Sequence, residues 1–211
     1  LDKYTVTYTW DNKASDDAIQ LAFSKDFVEG RKKWLRNYDK DNIIERTQKI
    51  IPYYDFINKD LIHFSNSDNL RSIPVMCDGL KPSHRKVLYA GFKKNLLLDI
   101  KVSQFVGYIS EHSAYHHGEM SLTNTIIGMA QNFTGSNNIN LYIPSGQFGT
   151  RLAGGKDHSS SRYIFTRLSK ITRLIYHPHD DAILNYLTDD GMSIEPEYYI
   201  PVIPMILVNG G

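Results

Sequence analysis

Residues 101–133 read KVSQFVGYISEHSAYHHGEMSLTNTIIGMAQNF, and the spacing of their apolar side chains decides the fold. Val102, Phe105, Val106 and Ile109 recur at helical intervals, which predicts a helix over about residues 101–111. Leu122, Ile126, Met129 and Phe133 predict another over about residues 118–133, leaving 112–117 as a short turn. Upstream, Pro82 suits the first turn of a helix that continues to Asn95, with Val87, Leu88, Gly91 and Phe92 on one face and Arg85, Lys86 and Lys93 beside it. Three helices with a tight turn before the third have the form of a helix-turn-helix, whose last helix offers its N-terminal end to DNA.

The composition then changes. Gly135, Asn137, Asn138, Pro144, Gly146, Gly149, Gly154 and Gly155 are breakers, and between and after them residues 141–143 and 162–166 are β-prone. A β-ribbon or wing is expected here, so the fold class is α+β, mostly helical: a winged-helix domain (helix-turn-helix with β wing) behind a helical N-terminal connector. In that connector, residues 16–38 read as one helix and 41–51 as a second, stopped by Pro52. Residues 168–176 read as a closing helix and 198–208 as a buried strand edged by Pro201 and Pro204.

The chain has 211 residues, 41% of them hydrophobic, enough for one packed domain and its flanks. No apolar run approaches the roughly 20 residues that cross a bilayer, so no membrane partner is expected. One cysteine, Cys77, excludes an internal disulfide or a cysteine metal cluster and fits a reducing compartment. The first residue is Leu1 and the last two are Gly210 and Gly211, which reads as a piece excised from a longer protein. A net charge of +1 hides segregation. Arg71, Lys81, Arg85, Lys86, Lys93, Lys94 and Lys101 form one basic block and Arg151, Lys156, Arg162, Arg167, Lys170 and Arg173 another, while Asp180, Asp181, Asp189, Asp190, Glu195 and Glu197 follow with no cation among them. Such polarity suits a polyanionic partner.

Two segments carry candidate chemistry. Tyr115, His116, His117, Gly118 and Glu119 open the third helix, where free N–H groups favour a phosphate; capping and packing is the plainer reading. Metal binding by His112, His116, His117 and Glu119 is not expected, because the turn interrupts the helix and no cysteine assists. The second segment runs from Gly154 and Gly155 through Lys156 to Arg162 and Tyr163. It is not a nucleotide P-loop, since Thr150 stands where the first Walker glycine belongs and Asp157 follows the lysine. A tyrosine with an ordinary pKa of about 10 needs a cation or base nearby to act as a nucleophile. Arg162 is adjacent, but neighbours on a strand point to opposite faces, so the pair can share a phosphate only if the backbone bends there. On residue type alone, Tyr163 reads better as one of 14 tyrosines, packed at a strand edge, than as a nucleophile.

Further motifs recur in order: Asp78-Gly79-Leu80-Lys81-Pro82, Arg85-Lys86-Val87-Leu88, Ala114-Tyr115-His116-His117-Gly118-Glu119, Ala130-Gln131-Asn132-Phe133, Gly146-Gln147-Phe148-Gly149-Thr150-Arg151, Gly154-Gly155-Lys156-Asp157, Arg162-Tyr163-Ile164 and Glu195-Pro196-Glu197-Tyr198-Tyr199-Ile200-Pro201. Spread over about three quarters of the chain, they resemble the winged-helix part of the breakage-reunion core of type IIA DNA topoisomerases of the eukaryotic kind. Gly30-Arg31-Lys32-Lys33-Trp34 resembles that family's link from its metal-binding toprim domain. Met76-Cys77 and 158–161 depart from the family pattern, and Gly210-Gly211 ends where the family continues into its tower domain.

The resemblance implies a domain order: 1–57 as connector after the toprim domain, 58–190 as the winged-helix DNA gate, 191–211 as the truncated start of the tower. It implies that Tyr163 attacks a DNA phosphodiester and keeps the 5′ end, that Arg162 steadies the transition state, and that Arg71, Lys81, Arg85, Lys86, Tyr115, His116, His117, Lys156, Arg31 and Lys32 hold DNA. Mg2+ and ATP would both bind outside this segment, the partners would be double-stranded DNA and a second copy of the whole enzyme, and the isolated segment would bind DNA without efficient cleavage. The compartment would be the nucleus for a cellular eukaryote, or the cytoplasm or a virus factory for a viral source. The alternatives are a non-catalytic winged-helix binding module and an interaction fragment that docks through its acidic segment and last apolar stretch.

Overall fold

The computed structural model describes residues 5–45, 47–115 and 118–210. They group into two units, Leu1–Ser72 and Ile73–Gly211.

In the first unit Asn12 caps helix α1 (Lys13–Phe23), its side chain accepting from the Ala14 N–H at 2.7 Å. The single helix expected over 16–38 is broken at Ser24, whose extended backbone ends α1 and whose hydroxyl accepts from the Asp26 N–H of a short 3-10 turn. A hydroxyl that caps a new turn competes with continuing the old one. Helix α2 (Val28–Arg36) follows. The second expected helix, over 41–51, does not form: the Asp39 carboxylate accepts from the Asp41 N–H at 3.0 Å in a turn, and Ile50–Pro52 becomes strand β2, parallel to β1 (Thr7–Thr9). Arg46 lies outside the described residues. Helix α3 (Tyr53–Phe56) runs through a π-helical turn, Ile57–Leu61, into α4 (Ile62–Ser72). The Trp34 indole N–H donates to Asn58 Oδ1 at 3.0 Å, tying α2 to that turn.

The second unit holds the three expected helices, α5 (Pro82–Lys93), α6 (Val102–Ser113) and α7 (Glu119–Ala130). Val87, Leu88, Val102, Phe105, Ile109, Leu122 and Ile126 meet in one core, each at the periodic positions read from sequence. Strands β3 (Ile100–Lys101), β4 (Tyr142–Ser145) and β5 (Phe165–Leu168) form an antiparallel sheet in the order β3-β5-β4, pairing Lys101 with Phe165 and Ser145 with Phe165. Asp99 fastens it, accepting from Arg167 Nη1 at 2.5 Å and from the Ser145 hydroxyl at 3.0 Å. The class is α+β, and three helices with this small sheet are consistent with a winged helix.

Three boundaries differ from expectation. The strand expected over 162–166 begins only at Phe165. The closing helix shrinks to α8 (Thr172–Ile175), because Leu168 belongs to β5 and the Ser169 N–H goes to the Leu141 carbonyl. The buried strand expected over 198–208 is absent: Pro201 and Pro204 offer no N–H to a ladder, and α9 (Met205–Asn209) starts after Pro204. The acidic segment forms a hairpin of β6 (Tyr186–Asp189) and β7 (Met192–Pro196).

Gly91 shows packing overriding propensity. The Tyr142 hydroxyl donates to the Val87 carbonyl at 2.8 Å, and a Cβ on Gly91 would collide with that hydroxyl. Alanine is favoured over glycine inside a helix by about 1 kcal/mol, whereas overpacking a core costs about 1–3 kcal/mol. Gly91→Ala is therefore expected to lower urea stability, and Tyr142→Phe in the same chain to recover part of the loss. An unchanged midpoint for Gly91→Ala would show that the close approach is not real.

Candidate active site and nucleic-acid interface

Tyr163 stands at the end of a turn, its N–H donating to the Ser160 carbonyl at 2.9 Å. The turn is fixed to the start of α6, which has no side-chain cap at Lys101. Val102 N–H donates to the Ile164 carbonyl at 3.0 Å and Ser103 N–H to the Ser161 carbonyl at 3.1 Å. The first N–H groups of a helix need acceptors, and here the carbonyls on both sides of Tyr163 supply them. With its flanks held and Ile164 buried, the Tyr163 side chain is left 72% exposed. Because β5 starts late, Arg162 and Tyr163 lie in a turn and not in a strand: Arg162 is exposed, and its guanidinium carbon lies 6.0 Å from the centre of the Tyr163 ring.

The glycine-rich loop between β4 and β5 is organised by Gln131, just past α7. Its side-chain amide donates to the carbonyls of Phe148 at 2.8 Å and Gly155 at 3.2 Å. Gly155 has a φ of +79°, and a Cβ there would collide with the Gln131 amide, so only glycine fits. The Asp157 carboxylate accepts from the Thr150 N–H at 2.7 Å and hydroxyl at 2.8 Å, bonds that hold it below the usual carboxylate range. Lys156 and Arg151 are left exposed. Lys156, His158, Asn124 and Gln131 line one cleft of about 310 Å³ with the backbone of Gly154 and Gly155.

The other residues expected to hold DNA divide. Arg85 is 3% exposed, its Nε donating to Asp78 Oδ2 at 2.9 Å and its Nη2 to the Leu80 carbonyl at 3.0 Å. Arg85 is expected to hold DNA, but here it is turned inward: Asp78 is fully buried and also accepts from the Tyr199 N–H, so it needs the guanidinium. Lys86 is likewise turned to Glu195. Tyr115 is buried with the core. Lys81 is half-buried at the N-terminus of α5. In the first unit Arg71 is exposed, Lys32 pairs with Glu29, and Arg31 Nη1 donates to the carbonyls of Leu21 and Ser24 at the end of α1. His116 and His117 lie outside the described residues.

Comparison with known proteins assigns the family. The family model for the A-type subunit of DNA gyrase/topoisomerase IV matches residues 71–211, and that for the C-terminal associated domain of TOPRIM matches residues 1–69. The chain belongs to the type IIA DNA topoisomerases. It is similar to DNA topoisomerase 2 of Saccharomyces cerevisiae, 57% identical over 194 residues, or 92% of this chain and 14% of that protein. It is 56% identical over 211 residues, all of its length, to a probable DNA topoisomerase 2 of Dictyostelium discoideum, again 14% of the relative. It also superposes, with a TM-score of 0.80 and 55% identity over 97% of its length, on 28% of a Plasmodium falciparum topoisomerase II DNA-binding, cleavage and re-ligation domain. The chain thus spans about one seventh of these curated type IIA relatives. The residues that a reading by residue type missed are Gln131, Asp78 and Glu195, polar groups whose partners include Phe148 and Gly155, Arg85 and Tyr199, and Lys86.

His84, one turn into α5, accepts from the Lys81 N–H at 3.3 Å. Burial first, then Lys81 and Arg85, push its pKa down to about 4 from an ordinary 6.5, against Asp78. The unfolded chain therefore takes up this proton between pH 6.5 and 4 while the folded chain does not, so stability falls as pH drops through that window, in total by on the order of 3 kcal/mol. His84→Gln should flatten that slope in urea denaturation series at pH 7 and pH 4.5; an unchanged slope would show that His84 is not held neutral.

Proposed function

We propose that this chain is the DNA-gate segment of a type II DNA topoisomerase, with Tyr163 as the nucleophile. The observation that carries the proposal is the exposed phenol of Tyr163 on a turn clamped to α6, with the Arg162 guanidinium beside it. The Tyr163 oxygen attacks a DNA phosphorus in line, forming the phosphotyrosyl bond as the bond to the 3′ oxygen breaks. The phenol gives up its proton and the departing 3′ oxygen gains one, so charge builds on the non-bridging oxygens. Arg162, next to the ring, would oppose that charge, which is where electrostatic stabilisation acts most strongly. Resealing reverses the step: the 3′ hydroxyl attacks, and the tyrosine leaves.

Lys156 and the cleft it shares with His158, together with Lys81, Arg71, His116 and His117, would hold the duplex through its backbone. Such contacts position DNA without reading sequence, as a strand-passing enzyme requires. In the whole enzyme two copies would cut opposite strands, a second duplex would pass, and ATP would drive the cycle, in the nucleus of a eukaryotic cell. Residues 1–57 then act as the connector from the toprim domain, 58–190 as the gate and 191–211 as the approach to the tower. Magnesium belongs to the reaction of this family, but among the described residues no three His, Cys, Asp or Glu side chains converge as a metal group. The isolated segment should therefore bind duplex DNA without efficient cleavage.

The test is Tyr163→Phe in the whole parent enzyme. Duplex affinity should stay within about twofold, since one uncharged hydroxyl is removed, while the covalent protein–DNA adduct disappears on a denaturing gel. An adduct that survives the substitution would move the nucleophile elsewhere, and a parent enzyme that never forms one would leave only a DNA-binding module.

A further inference from the structure

Lys86 follows Arg85 on the helix face that the sequence offers to phosphate, yet its ammonium is engaged inside the chain. A lysine has three N–H donors. Here the ammonium donates to Glu195 Oε2 at 2.9 Å and to the Ser113 carbonyl, with Glu195 Oε1 also 2.9 Å away. The two side chains are 14% and 3% exposed, so drawing the ammonium out to a phosphate would leave the Glu195 carboxylate buried and short of a partner.

The three groups come from separate elements. Lys86 is on α5, Glu195 on β7, and Ser113 is the last residue of α6. A second bond, from the Tyr89 hydroxyl to the Ser193 carbonyl at 3.1 Å, joins α5 to β7 one helical turn along. Ala114, immediately after the Ser113 carbonyl, has a φ of +48°, a left-handed conformation that a residue with a Cβ adopts only under constraint. Gly118, the residue that precedes α7, follows four positions later in the sequence.

We infer that Lys86 is a positioning residue and not a phosphate contact: with Glu195 it forms a neutralised joint that pins the Ala114 turn, and through it the DNA-facing start of α7, to the β6–β7 hairpin. The functional half rests on the DNA-gate reading; the structural half does not.

The experiment compares the 211-residue chain with Lys156→Gln, Lys86→Met and the double variant Lys86→Met/Glu195→Met. Affinity for a short duplex is measured across a salt series, and the backbone chemical shifts of Ala114 are recorded without DNA. Removing a phosphate contact lowers the slope of log affinity against log salt by about 0.9, and that is expected for Lys156→Gln. The double variant should keep the wild-type slope, bind about tenfold more weakly at every salt concentration as a charge-assisted bond to the turn is lost, and show Ala114 leaving its left-handed shifts. Lys86→Met alone strands a buried carboxylate and can fail to fold; the double variant removes both charges and carries the test. A slope that drops by about one in the double variant, or wild-type affinity with unmoved Ala114 shifts, overturns the inference. Absence of salt-dependent binding by the wild-type chain would instead sink the DNA-gate reading, with the Ala114 shifts still deciding the joint.

Discussion

The candidate site depends on how α6 begins. Its first N–H groups take their acceptors from Ser161 and Ile164, the residues two before and one after Tyr163. Each element gains from the bond: the helix satisfies donors that no side chain caps, and the turn acquires two fixed points with the exposed phenol between them. A flexible turn with the same sequence would have to order itself whenever DNA arrived, and that entropy would count against the transition state. Asp99 reinforces the arrangement by joining β4 and β5 just before β3. The exposure of Tyr163 thus follows from buried and half-buried bonds beneath it.

Charge follows a second rule, that cations close to carboxylates in the interior are not available to a ligand. The basic block from Arg71 to Lys101 looks continuous in sequence, but Arg85 and Lys86 spend their donors on Asp78 and Glu195. What remains outward of that block is Arg71, Lys93, Lys94 and Lys101, and nearer the loop Arg151, Lys156 and Arg162. The internal pairs consume cations and carboxylates in equal number and leave the net charge of +1 unchanged, so a cationic stretch on this near-neutral chain comes from segregation of charge along the sequence.

Much of this was legible in the sequence, and the reasons are specific. Helices α5, α6 and α7 follow from apolar spacing because each packs one face, and the sheet beside them follows from the breakers that flank its β-prone pieces. The break at Ser24 was not legible, because a serine hydroxyl can cap a new turn or face solvent with the same local sequence. Residues 198–208 misled by apolar content alone, although Pro201 and Pro204 already argued against a ladder. At the site, Tyr163 gave no signal by residue type among so many tyrosines; the ordered motifs singled it out. Arg85 and Lys86 read as surface cations because their partners, Asp78 and Glu195, are distant or unremarkable on a helical wheel.

The clamp on α6 makes the most direct demand. Amide hydrogen exchange at Val102 and Ser103 should be as slow as at Val106 within the same helix, and far slower than at the exposed Leu98, if the carbonyls of Ile164 and Ser161 hold them. Exchange at Val102 and Ser103 as fast as at Leu98 would mean that the Tyr163 turn is not fastened to the helix, and that the fold does not present this phenol to DNA.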